Sequence, residues 1–250
     1  MPGKLRAMSR IRLSSLVLAA GLLLAGAAQA AVERPRLDVL GFSADGRFFA
    51  YKQSGLLDEN GDSFADLFVM DTTKREAVKG TPMRVVSSAN LPTLTDVRTA
   101  LESQSSRLLQ RLGLRRALAG VAFVPKYRDQ MWLDLPWGER VKLQLTARND
   151  LGAPGCPLGV KVARGALVGF HLTMQRPTSV EVIHNDRVIP RGRGCPVSYR
   201  FASGFIKSRG DDAVIAALIA YREPDSDGSL RTRYTAITAV VNAPGDRVTD

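Results

Sequence analysis

Four oxygen-bearing side chains crowd one short stretch. Asp58, Asn60 and Asp62 alternate around Gly61, and Asp66 follows. Carboxylates and an amide beside a glycine form the ligand set of a calcium loop, because hard cations take oxygen ligands. No glutamate closes an EF-hand pattern, and a solvated hairpin loop accounts for the same residues. A second constellation is basic: Arg187, Arg191, Arg193 and Arg200 surround Cys195. Guanidinium groups held together on one loop would grip a phosphate or carboxylate in forked hydrogen bonds; dispersed in solvent they form only a basic loop. The two cysteines, Cys156 and Cys195, each stand between a glycine and a proline. They lack Cys-x-x-Cys spacing and an adjacent histidine, so they read as one disulfide rather than a redox or metal centre.

Catalytic vocabulary is sparse. His171 falls on the polar face of an alternating stretch, and His184 falls in a predicted turn. No Gly-x-Ser-x-Gly elbow, phosphate-cradling glycine loop or His-Glu-x-x-His is present. A pair of acids for glycoside cleavage needs only to meet in space, so an exported hydrolase stays open as an alternative. Trp132 and Trp137 bracket Asp134-Leu135-Pro136, two aromatics that line a sugar or peptide groove or pack at a core rim. No catalytic residue, metal or cofactor is assigned.

The first thirty residues are an address. Lys4, Arg6, Arg10 and Arg12 lead, Leu13 to Ala28 carries no charge, and Ala28-Gln29-Ala30 supplies the small side chains of a cleavage site between Ala30 and Ala31. The apolar run is shorter than the roughly 20 residues that span a bilayer, so no stable membrane span is expected after cleavage. The whole chain has 35 Lys+Arg against 24 Asp+Glu, a formal +11. Removing the leader's four basic residues leaves 31 against 24, about +7. That surplus attracts anionic surfaces such as an envelope component or anionic polymer, whereas export and the lack of a recognition motif argue against nucleic acid. In an oxidising compartment the cysteine pair would be bridged.

Elements must hold these residues in place. Leu37 to Ser43, an Asp45-Gly46 turn, Phe48 to Gln53, Ala65 to Asp71 and Met83 to Val86 predict an antiparallel meander. Leu94, Val97, Leu101, Leu108 and Leu112 form a helical stripe between Pro92 and Gly113. Val141 to Ala147 and Val168 to Met174 alternate as half-buried strands. Val180 to Ile183, a turn at His184 to Arg187 and Val188-Ile189 predict a hairpin. Val214 to Tyr221 predicts a central strand, although its alanines also permit a helix, and Tyr234 to Val241 predicts another strand. The expected parts are a signal over 1–30, an N-terminal meander over 31–90, a helical segment over 91–120 and a β-rich part over 121–250.

Gly41-Phe42-Ser43-x-Asp45-Gly46-Arg47 followed by Phe49-Ala50 and Phe68-Val69-Met70-Asp71 resembles one blade of a propeller repeat, in a single clear copy. Together with Gly169-Phe170-His171-Leu172-Thr173, and Gly194-Cys195-Pro196 with Tyr199-Arg200, it resembles a bacterial family of predicted secreted proteins carrying domain of unknown function 2259. The resemblance implies export and a shared fold, and it brings no activity and no functional residue. The expected fold is mainly β, with antiparallel meanders in a propeller-blade-like, two-sheet or sandwich-like arrangement and one amphipathic helix packed on it. The expected role is a non-catalytic envelope or periplasmic binding module. A hydrolase and a self-associating structural protein are the alternatives.

Overall fold

The turn at Asp45-Gly46 is built as its residue types dictate. Ser43 Oγ donates to Asp45 Oδ1 and accepts from Phe48 N–H, Asp45 Oδ1 accepts from Arg47 N–H, and Gly46 adopts φ +71°. A side chain with a Cβ resists that left-handed backbone. The turn joins β1 (Arg36–Phe42) to β2 (Phe48–Leu56). β3 (Ser63–Asp71) pairs with β2, and two short strands, β4 (Glu76–Ala77) and β5 (Met83–Val86), pair with β3. This first sheet is antiparallel throughout.

The predicted helix is α1 (Leu94–Arg111). Thr93 Oγ1 accepts from Asp96 N–H while Asp96 Oδ2 accepts from Thr93 N–H, a reciprocal cap that satisfies two otherwise orphaned donors. Gly113, at φ +67°, stands where the chain leaves the helix. Val97, Leu101 and Ser105 are its buried face. Val97 and Leu101 pack on Ala50, Ala65, Leu67 and Val69 of the first sheet.

The rest of the chain makes two more antiparallel sheets. β10 (Val180–Asn185), β9 (Gly169–Gln175), β8 (Arg140–Arg148) and β7 (Gln130–Asp134) lie side by side in that order. β13 (Leu230–Asn242), β12 (Asp212–Pro224), β11 (Ser198–Arg209) and the short β6 (Val121–Phe123) form the other. The computed structural model describes residues 35–57, 62–115, 117, 120–149, 168–190, 193–224 and 229–244. All of these belong to one compact unit, Glu33–Asp250.

β12 decides how the sheets stack. Ala213, Ile215, Ala217 and Ile219 join the core formed with Leu133, Leu143, Phe170 and Leu172. Val214, Ala216, Leu218 and Ala220 join the core formed with Phe42, Phe49 and Tyr51. A strand has side chains on alternate faces, so β12 is apolar on both because its sheet is covered on both. The layers run helix, first sheet, β12 sheet, β7–β10 sheet. The alternation within β12 settles it as a strand rather than the helix its alanines permit.

Three expectations need correction. Among the described residues there are three sheets rather than two, because β12 carries apolar residues on both faces. No sheet closes on itself among the described residues, so the blade-like meander here is one layer of a stack. The hairpin expected within 180–189 lies one strand earlier: β9 and β10 pair across residues 176–179. An irregularity between Val182 and His184 shifts the register, and His184 therefore lies in β10 and not in a turn.

Candidate functional site

Lys52 and Ser54 share the face of β2 that carries Ala50 and looks toward α1. Arg98 and Glu102 stand one helical turn apart beside Val97 and Leu101, so they border the packed stripe. Arg98 Nε donates to Ser54 Oγ at 2.9 Å, and Lys52 Nζ donates to Glu102 Oε1 at 3.2 Å. On β1, Arg36 Nε donates to Asp38 Oδ1 at 2.8 Å. These six residues line a cleft of about 250 Å³ at the seam between sheet and helix. Three cations face two carboxylates there. Ser54 is buried, Lys52 is largely covered, and Glu102 is exposed. No sequence motif marks this site. The available signals were two polar residues at strand spacing on an otherwise apolar face, and an Arg/Glu pair at helical spacing beside the buried stripe.

Among the described residues, the carboxyls whose proton affinity shifts are all moved downward. The Ser43 hydroxyl holds Asp45 down, Arg140 holds Asp134 down, and Arg176 holds Glu139 down. Burial pushes Asp71 up, but the Thr73 hydroxyl and the Thr73 and Lys74 N–H groups outweigh it. A general acid at neutral pH needs the opposite shift. Asp186 is also lowered. Burial pushes it up, and the His184 ring, the Arg193 charge and bond, and the Phe170 N–H more than compensate.

Asp186 anchors the polar cluster nearest the cysteine loop. It accepts from Arg193 Nη1 at 2.5 Å and from Phe170 N–H at 2.9 Å, and its Oδ1 lies 2.8 Å from His184 Nε2. Arg193 stacks over the Phe170 ring, 4.6 Å from its centroid. The basic constellation around Cys195 is therefore divided. Arg193 is buried against Asp186, Arg187 is exposed, Arg200 is half-buried on β11, and Arg191 lies outside the described residues. Arg200 alternates with Tyr199 and Phe201, which pack on the β7–β10 sheet, so it occupies the opposite face of β11.

Asp58, Asn60, Cys156 and the Ala30–Ala31 junction also lie outside the described residues. Asp62 accepts from Ser87 Oγ at 3.0 Å at the edge of β3. Asp66 sits within β3, where Gln53 and Arg84 occupy its carboxylate. No group of three metal-ligating side chains comes together among the described residues. None of the described cysteines is free. His171 pairs with Thr146 on the neighbouring strand. Trp132 is exposed with Lys142 over its ring, while Trp137 packs on the core and donates to Glu139. The structure thus separates the two tryptophans. Among the described residues no helix is long and apolar enough to cross a membrane.

The chain matches no curated protein and no solved structure. A family model described as "Predicted secreted protein (DUF2259)" matches residues 50–239, which runs from β2 through β13 and includes both walls of the cleft contributed by β2 and α1. The chain belongs to that family of predicted secreted proteins.

Proposed function

We propose that this protein is an exported, non-catalytic binding module of the cell envelope that attaches to an anionic polymer. The observation that carries this reading is the cleft at the β2–α1 seam, with three cations converging on one opening, Lys52 paired with Glu102, Arg36 paired with Asp38, and Arg98 without a carboxylate partner among the described residues. The basic surplus of the chain favours approach to a negatively charged surface. Among the described residues the carboxyls with shifted proton affinity all lie below their ordinary range, the opposite of what the hydrolase alternative asks of its acid. A Cys156–Cys195 bridge would tie the long segment after β8 to the loop that Arg193 and Asp186 hold in place.

The test is co-sedimentation of the exported protein with purified peptidoglycan sacculi, whose stem peptides carry free carboxylates. The protein pellets with sacculi at low salt and is released as salt screens the attraction. Failure to pellet, or release of soluble glycan fragments by the protein, overturns the reading.

A further inference from the structure

The proposed binding role leaves open which chemical group enters the cleft. We infer that the cleft is a receptor for a single oxyanion, carboxylate or phosphate, with Lys52 and Arg98 as its ligands and Glu102 as a displaceable stand-in. This rests on the binding-module reading and names the ligand chemistry of that same site.

The asymmetry of the Lys52–Glu102 pair carries the inference. Lys52 has 18% of its side chain exposed, while Glu102 has 67% exposed. The cation is held in the wall and the acid is free to swing into solvent. Solvent screens the pair at its Glu102 end, so an incoming carboxylate displaces Glu102 at small cost. Glu102 itself marks the position such a group takes. Arg98 is oriented by its Nε bond to Ser54, a buried side chain, and among the described residues its Nη groups make no hydrogen bond. That leaves a planar fork for an oxyanion. With Glu102 displaced, Arg36, Lys52 and Arg98 face only Asp38. At about 250 Å³ the cleft falls below the ~300–1,000 Å³ of drug-sized pockets and matches a small acid such as an acidic monosaccharide or a polymer end.

Calorimetric titration at low salt with galacturonate, glycerol 3-phosphate and neutral galactose tests this. Either acid binds at least about tenfold more tightly than galactose, and the tighter acid identifies the source as carboxylate or phosphate. Glu102→Ala tightens acid binding by about threefold to fivefold because its competition is gone. Glu76→Ala, an equal charge change at the far edge of the first sheet, does not. Lys52→Met and Arg98→Lys each weaken binding by about tenfold or more, with circular dichroism confirming the fold. Equal binding of galactose, no acid binding, or matching behaviour of Glu102→Ala and Glu76→Ala overturns the inference. If the wild type pellets with sacculi and neither acid binds, the inference falls and the envelope reading stands on another surface. If the acids bind in the cleft and the wild type does not pellet, the envelope reading falls alone.

Discussion

Asp66 and Arg84 face each other across β3 and β5, joined by two bonds of 2.7 and 2.8 Å. The carboxylate is fully buried and the guanidinium is half exposed. Gln53 adds a third bond to the carboxylate and, through its carbonyl, accepts the Tyr234 N–H of β13. Tyr51 Oη donates to the Tyr234 carbonyl. Two side chains of the first sheet thus occupy both main-chain groups of one residue on an edge strand. Such groups left unpaired would be costly to bury or open to pairing with another chain.

Removing Arg84 leaves a buried charge with one neutral partner. Arg84→Met is expected to cost about 2–3 kcal/mol, below the ~3–5 kcal/mol of a wholly buried pair because water reaches the Arg84 position. Urea unfolding measures it, and Asp66→Asn added to Arg84→Met should recover much of the loss. An unchanged midpoint for Arg84→Met would show that Asp66 is solvated.

Asp186 ties pH to stability through β9, β10 and the cysteine loop. Its folded pKa lies below its unfolded value of roughly 3.9. The folded state therefore holds fewer protons, and the stabilisation is complete above that value. It is lost as pH falls through the folded pKa. Asp186→Asn should lower stability at neutral pH and flatten the acid limb below about pH 4. Parallel acid limbs for wild type and variant would rule this out.

Burial pushes Tyr199 up to about 12, and pushes Tyr51 and Tyr221 up as well. Their folded forms keep protons that the unfolded chain releases, so stability falls as pH rises past roughly 10. Phenolate absorbance should show these three ionising only as the protein unfolds in alkali. A reversible titration of all five tyrosines near 10 in folded protein would contradict the packing around Tyr199.

β12 is the layer-spacing strand, and its small residues set the approach of the sheets. Ala217→Leu adds volume against the β7–β10 core and should cost about 1–3 kcal/mol through displaced neighbours. Lys142→Leu, on the outward face of β8, should change stability by less than about 0.5 kcal/mol. Equal thermal unfolding of the two variants would mean the layers are loosely packed.

The proposed Cys156–Cys195 bridge closes a loop of about 40 residues, for which chain entropy gives roughly 4 kcal/mol. Denatured, unreduced protein should yield no titratable thiol, and reduction should lower the unfolding midpoint. Two titratable thiols would end the proposal.

Much of the architecture was legible because its causes are local. Ser43, Asp45 and Gly46 make their turn with bonds among neighbours, and Pro92 and Gly113 bracket α1 in the sequence, although the Thr93–Asp96 cap that starts it is visible only in the structure. Alternation in Val141–Ala147 and Val168–Met174 follows from one covered face. His184 was misplaced because a register irregularity interrupts alternation without a distinctive residue type. Arg193 reads as a solvated cation until Asp186 is brought beneath it.

The amino-acid order alone specified the helix, the turn and most strands, since each depends on contacts within a few residues or on a repeating apolar period. The cleft was settled only by stacking. Lys52 and Glu102 are fifty positions apart, and nothing in either neighbourhood encodes their meeting. They meet because Ala50, Ala65 and Leu67 on one side and Val97 and Leu101 on the other bury together, carrying the polar residues at the border of that contact into one opening. The double-sided burial of β12 has the same origin: a strand's sequence shows that both faces are apolar, and the fold determines what covers each.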